Sequence, residues 1–223
     1  MNAVVIKTTG QLYTLKTEVG DVVQSRLKGK FRTAGIKSTN PIVVGDKVEI
    51  VQESELWMIV KLHDRKNHIL RKSVNLSKQT HIIAANIDQA ILMITLDRPV
   101  TTTGFIDRFL VAANAYDIGV LLLFNKLDIF NDDLKIKQEK LKKVYEKIGY
   151  TCFAISVINN DLSQIKELMK GKVNMISGHS GVGKSTLINK LQPDLNINTK
   201  EISNTHQQGQ HTVSYTHLRA HET

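Results

Sequence analysis

Between residues 3 and 62, apolar and polar positions alternate over short stretches (3–6, 12–15, 21–26, 43–51 and 56–62). A two-residue period puts one side of each stretch toward a core and the other toward water, which is the pattern of half-buried β-strands. Thr9-Gly10, Gly20-Asp21, Asn40-Pro41 and Gly45-Asp46 break the pattern and supply turns. Five strands in about 60 residues, with no helical-period segment long enough to cover a sheet, predict a small closed barrel of the OB-like type.

Residues 64–77, with Arg65, Lys66, Arg71 and Lys72, read as a basic connection, and beyond them the pattern changes. Continuous apolar runs at 89–96 and 120–124 have the character of strands buried on both faces of a parallel sheet. Helical periodicity separates them: Phe105, Ile106, Phe109, Leu110 and Ala113 share one face, with Thr103 as N-cap. A second amphipathic helix at 134–148 turns Leu134, Leu141, Val144 and Ile148 inward and a run of lysines outward. Strands at 151–155 and 173–176, with a short helix at 162–169 between them, complete a doubly wound α/β domain. The predicted organisation is an OB-like basic barrel over 1–72, an α/β domain over 73–212 and a tail over 213–223.

Charge sharpens this division. Of the 223 residues, 30 are Lys or Arg and 21 Asp or Glu, a net charge of +9, and residues 1–80 hold 14 basic against 7 acidic residues, so +7 of the excess lies in the first third. A basic barrel beside a near-neutral domain suggests that the barrel meets a polyanion. Within Lys28, Lys30, Phe31 and Arg32 an aromatic ring stands among cations, a set able to stack a base and hold phosphates; Phe31 serves equally well as barrel core. The longest apolar runs fall far short of the roughly 18 to 20 residues of a membrane-spanning helix, and the N-terminus has no secretory pattern, so a cytoplasmic protein is expected. Cys152 is the single cysteine and reads as a buried apolar residue.

The strand at 173–176 leads into Gly178-His179-Ser180-Gly181-Val182-Gly183-Lys184-Ser185, followed by helical sequence from Thr186. This is GxxxxGK[ST], the P-loop, in its strand–loop–helix setting. A chance match in a chain of this length has a probability of about one in a hundred from average residue frequencies. The glycines let backbone N–H groups wrap phosphates, Lys184 reaches the β- and γ-phosphates, and the Ser185 hydroxyl ligates Mg²⁺.

A P-loop does not choose between ATP and GTP. Asn125-Lys126-Leu127-Asp128, an NKxD pattern, stands directly after the strand at 120–124, where α/β sheets bind ligands. Asp128 can accept two hydrogen bonds from guanine N1–H and the exocyclic amine, a pair of donors adenine lacks, and sites of this kind discriminate by about 10⁴. Asn125 supports the base and its loop, and the Lys126 stem packs along the nucleotide. Ser156-Val157 closes the next strand, at the place of a base-contacting Ser-Ala pair. NKxD thus precedes the P-loop, and the nucleotide-site segments run in circularly permuted order.

A basic barrel, then NKLD, then GHSGVGKS, then Gly209-Gln210-His211-Thr212 resembles the ribosome small subunit-dependent GTPase A family, circularly permuted GTPases of late small-subunit maturation in bacteria. Arg65-Lys66-Asn67 and Ala85-Asn86-Ile87-Asp88-Gln89 extend the likeness over residues 1–212. The resemblance implies a P-loop GTP hydrolase that uses GTP or GDP with Mg²⁺, acting as a monomer with the small ribosomal subunit and its rRNA as partners. It implies guanine recognition by Asn125, Lys126 and Asp128, with Ser156 beside them. It also implies phosphate binding by Gly178, His179, Ser180, Gly181, Val182, Gly183, Lys184, Ser185 and Thr186, Ser180 and Val182 only shaping the loop. Thr212 would be a second Mg²⁺ ligand and His211 would position the attacking water.

Two family features are missing. No Asp has Gly three positions later, so the DxxG motif is absent, and with Cys152 alone there is no counterpart of the family's zinc domain. Both departures follow Thr212, so residues 213–223 are expected to be foreign to the fold and a missing parallel strand to leave the sheet with an open edge. A second reading is therefore an RNA-binding module with an inactive nucleotide domain. A third, an ATP-dependent enzyme with an accidental NKLD, would prefer ADP to GDP.

Overall fold

A computed structural model describes residues 1–29, 41–53, 56–72, 80–193 and 214–217, in two compact units, Met1–Ile87 and Asp88–Thr223. In the first, β1 (Asn2–Thr9), β2 (Leu12–Thr17), β3 (Val22–Leu27), β4 (Lys47–Glu53) and β5 (Leu56–Leu62) form a closed barrel in the order β1-β2-β3-β5-β4. Neighbours are antiparallel except β3 and β5, which run parallel. The inward residues of the alternating pattern fill it: Val5, Leu15, Val48, Ile50 and Ile59 are fully buried, with Trp57 packed at their margin.

The segment read as a basic connection is instead half of a hairpin. β6 (His68–Lys72) pairs antiparallel with β7 (Thr80–Ala85), and the unit continues to Ile87, beyond the boundary expected at residue 72. Polar side chains stitch it in. The Asn67 amide donates to the Ile87 carbonyl (2.8 Å) and accepts from the Ile87 N–H (2.7 Å). The Asn86 amide accepts from the Lys66 N–H and donates to the Gly45 carbonyl, both at 2.9 Å. The wholly buried Asp46 carboxylate takes two bonds from the Arg65 guanidinium (2.7 and 2.8 Å) and one from the Val43 N–H (2.8 Å).

In the second unit a five-stranded sheet has the order β10-β9-β8-β11-β12. β8 (Gln89–Ile94), β9 (Gly119–Phe124), β10 (Thr151–Ala154) and β11 (Val173–Ser177) are parallel. The continuous apolar runs serve two cores by alternation. Ile91, Met93, Leu121 and Leu123 face α3 (Ser163–Met169) and α4 (Lys184–Leu191). Leu92, Ile94, Leu122 and Phe124 face α1 (Thr103–Asn114) and α2 (Asp132–Lys147). No helix among the described residues is long and apolar enough to cross a membrane.

Three expectations are corrected. The N-cap of α1 is Thr102, whose hydroxyl accepts from the Phe105 N–H, and not Thr103. Val144 on α2 and Ile148 at its C-cap are 57% and 62% exposed, while the buried stripe of the helix comprises Gln138 and Tyr145 with Leu141 beside them. The Tyr145 hydroxyl donates to Asp107 at 2.8 Å, and burial, then that carboxylate, raise its pKa, so a polar ring pointing inward displaces the apolar pattern. Finally, where a missing parallel strand is expected to leave an open edge, β11 pairs with β12 (Ser214–His217), antiparallel, from Val173↔His217 to Ile176↔Ser214.

Removing one partner of a buried ion pair strands the other, at a cost of about 3–5 kcal/mol. Asp46→Ala should therefore lower the unfolding free energy of the barrel unit by an amount in this range, measured by urea unfolding followed through fluorescence of the single tryptophan, Trp57. A loss below about 1 kcal/mol would show that the Arg65 contact is dispensable.

Candidate nucleotide-binding site

β11 ends at Ser177 and α4 begins at Lys184, and the chain between them bends through left-handed backbone at Gly178 (φ +145°), Gly181 (+81°) and Gly183 (+104°). Space as well as φ requires two of these glycines. A Cβ on Gly178 would lie 2.7 Å from the Met93 carbonyl oxygen, and one on Gly183 would lie 2.5 Å from Asn125 Nδ2. The loop is thus pressed against the ends of β8 and β9. From α1, the Phe105 ring lies on the His179 imidazole with centroids 4.4 Å apart.

Lys184 is 6% exposed, and its ammonium donates to the carbonyls of Gly178 (2.9 Å) and His179 (2.7 Å). Among the described residues no carboxylate pairs with it. Burial lowers its pKa from 10.5 to about 8. A buried cation inside a glycine-walled loop at a helix N-terminus is chemistry that suits a phosphate.

Asn125 directly follows β9 and is 3% exposed. Its Nδ2 donates to the Val182 carbonyl (2.8 Å), and its Oδ1 accepts from the Val157 N–H (2.9 Å). One amide therefore joins three segments: NKxD, the P-loop and the loop after β10. Lys126 adopts a left-handed conformation (φ +71°), and its ammonium donates to the Arg98 carbonyl. Burial holds its pKa below the usual lysine value. The next turn, Leu127–Ile129, is a 3-10 helix that leaves the Asp128 carboxylate exposed. Ser156 is buried, its N–H donating to Asn160 Oδ1 and its Oγ accepting from the Asn159 N–H at 3.3 Å. Ser185 and Thr186 are partly buried in the first turn of α4, and Ser180 is exposed at the loop tip.

The structure brings Asn125, Ser156 and Gly178 through Thr186 together. His211, Thr212, Lys30, Phe31 and Arg32 lie outside the described residues. Lys28 is exposed and paired with Glu53, on the barrel unit. Sequence reading missed Phe105 as a neighbour of the P-loop, because its spacing marks it only as part of a core face. It also missed Arg98, whose carbonyl orients Lys126 while its side chain stays exposed.

Residues 62–222 match the RsgA GTPase family and residues 3–56 its N-terminal domain. The chain belongs to the RsgA GTPase family. The Small ribosomal subunit biogenesis GTPase RsgA of Flavobacterium johnsoniae is 52% identical over 223 residues, which cover 98% of this chain and 69% of that relative. The protein of the same name from Bacteroides fragilis is 48% identical over 220 residues, covering 98% of this chain and 71% of its own. Among solved structures, YjeQ from Thermotoga maritima superposes with a TM-score of 0.71 at 32% identity, over 89% of this chain and 67% of its own. YloQ, described as a circularly permuted GTPase, superposes with a TM-score of 0.65 at 28% identity, over 86% and 64%. The fold of this RsgA family member is accordingly a circularly permuted GTPase domain preceded by an OB-like barrel. The family match includes residues 213–222, within the tail expected to be foreign, where the described backbone is β12.

Without a ligand the Lys184 amine loses its proton near pH 8, whereas a bound phosphate would favour the charged form, so binding takes up a proton above that pH. GDP affinity should be flat below pH 7.5 and then fall, by up to about tenfold per pH unit, toward pH 9. Calorimetry in buffers of different ionisation enthalpy would register the uptake; pH-independent affinity without uptake would contradict it. For the free chain the sign is opposite. Its folded pKa lies below the unfolded value, so this group adds stability as pH rises from about 8 to 10.5.

Proposed function

We propose that this chain binds guanine nucleotide between NKxD and the P-loop, hydrolyses GTP there, and acts on the small ribosomal subunit in the cytoplasm as a monomer. The observation that carries the reading is the Asn125 amide, which fastens the base-side loop and the phosphate-side loop to one strand end. Asp128 reads guanine N1–H and the exocyclic amine, and Lys126 lies along the nucleotide. The backbone of Gly178 through Gly183 receives the phosphates, with Lys184 as their counter-ion. The residues present suit Mg²⁺: the Ser185 hydroxyl would hold it, with Thr212 as a second ligand, and the ion would supply charge neutralisation at the β- and γ-phosphates. His211 would orient the attacking water.

The basic barrel supports an rRNA partner, with Lys28, Lys30, Phe31 and Arg32 as the contact set and +7 of net charge in residues 1–80. The names of the relatives support the ribosomal context.

Equilibrium binding of GDP and ADP in the presence of Mg²⁺ tests the proposal. GDP should bind at least 10³-fold more tightly than ADP. Asp128→Ala should remove most of that preference, and Lys184→Ala should abolish binding of both. Preference for ADP, or no nucleotide binding by folded protein, would overturn it.

A further inference from the structure

The loop after β10 is closed into a tight turn. The N–H groups of Asn159 and Asn160 donate to the Ser156 carbonyl at 3.1 and 2.8 Å, and the Asn160 side chain returns to the Ser156 N–H. Its first half is fixed by Asn125 through Val157. Its second half is held from another element. Lys190, in the last turn of α4, donates through its ammonium to the carbonyls of Ile158 (2.8 Å) and Asn160 (2.9 Å). The Asp161 carboxylate lies near the same ammonium and is kept below its usual pKa, chiefly by hydrogen bonds from Ser163 and least by Lys190.

Lys190 is exposed, so burial gives it no reason to stay on this loop. Two charge-assisted hydrogen bonds to main-chain carbonyls do, and each is stronger than a neutral bond. It lies six residues after Lys184 on one helix, about 9 Å along the axis. α4 therefore carries the phosphate counter-ion at its start and the anchor of the 156–160 loop near its end. Displacement of that loop would move Ser156 and Val157 relative to Asn125 and Asp128, on the base side of the site.

We infer that Lys190 is a positioning residue for guanine affinity: by tying the 156–160 loop to α4, it sets the base side of the pocket in register with the phosphate side. This rests on the guanine-nucleotide reading of the site. Its loss should weaken the contribution of the guanosine and leave the phosphate subsite intact.

The test compares binding of GDP and of pyrophosphate, which occupies only the phosphate subsite, to the full chain with Mg²⁺. Lys190→Ala should weaken GDP about tenfold, mainly through faster dissociation, and leave pyrophosphate affinity within twofold. Lys190→Arg, which can still donate to both carbonyls, should restore most of the GDP affinity. Equal weakening of GDP and pyrophosphate would mean that Lys190 merely supports α4, and unchanged GDP affinity would mean that the loop stands without it; either overturns the inference. If the unsubstituted chain gains nothing from the guanosine over pyrophosphate, the guanine reading itself fails, a result distinct from any effect of Lys190.

Discussion

The second unit's candidate site depends on one buried amide. Asn125 Nδ2 and Oδ1 satisfy a carbonyl of the P-loop and an N–H of the 156–160 loop, groups 57 and 32 residues away along the chain. Leaving either of these buried groups without its partner costs about 1–3 kcal/mol. The same amide dictates its surroundings. It lies 2.5 Å from where a Cβ on Gly183 would be, so beside this asparagine only glycine fits at the left-handed turn into α4. Phe105 on His179 and the carbonyls around Lys184 then complete a loop held from α1, β8 and β9.

This arrangement explains how a permuted chain order is compatible with an ordinary nucleotide site. In a parallel sheet every strand delivers its following loop to the same edge, so the site is assembled from strand ends whatever their sequence order. Here β9 delivers Asn125, β10 delivers Ser156 and β11 delivers Gly178, side by side with β8 between β9 and β11. The order of segments affects connectivity and leaves the local chemistry of each loop alone. α4 links the two halves, because Lys184 and Lys190 act at opposite ends of one rigid element.

Features carried by local pattern were legible in the sequence. Alternation gave the barrel strands, continuous Ile, Leu, Met and Phe gave β8 and β9, and the glycine spacing located the P-loop between a strand and a helix. What escaped rests on polar side chains acting at long range. The β6–β7 hairpin joins the barrel through Asn67, Asn86, Asp46 and Arg65, none of which registers in a hydrophobic period. The inward face of α2 does not show as an apolar stripe because Gln138 and Tyr145 occupy it, the tyrosine satisfied by Asp107 on another helix. Lys190 is one lysine among many until its partners, about 30 residues upstream, are brought beside it.

Native-state hydrogen exchange on Asn125→Ala would test the bridging role of this residue most directly. The account predicts that the Val157 amide, bonded to Asn125, and the Val182 amide, bonded to the His179 carbonyl within the P-loop, lose protection together, by about tenfold or more given the free energies at stake, while β8 and the barrel strands keep theirs. Faster exchange confined to residues 126–129, with the other two loops unchanged, would contradict the claim that one asparagine holds the two sides of the site in register.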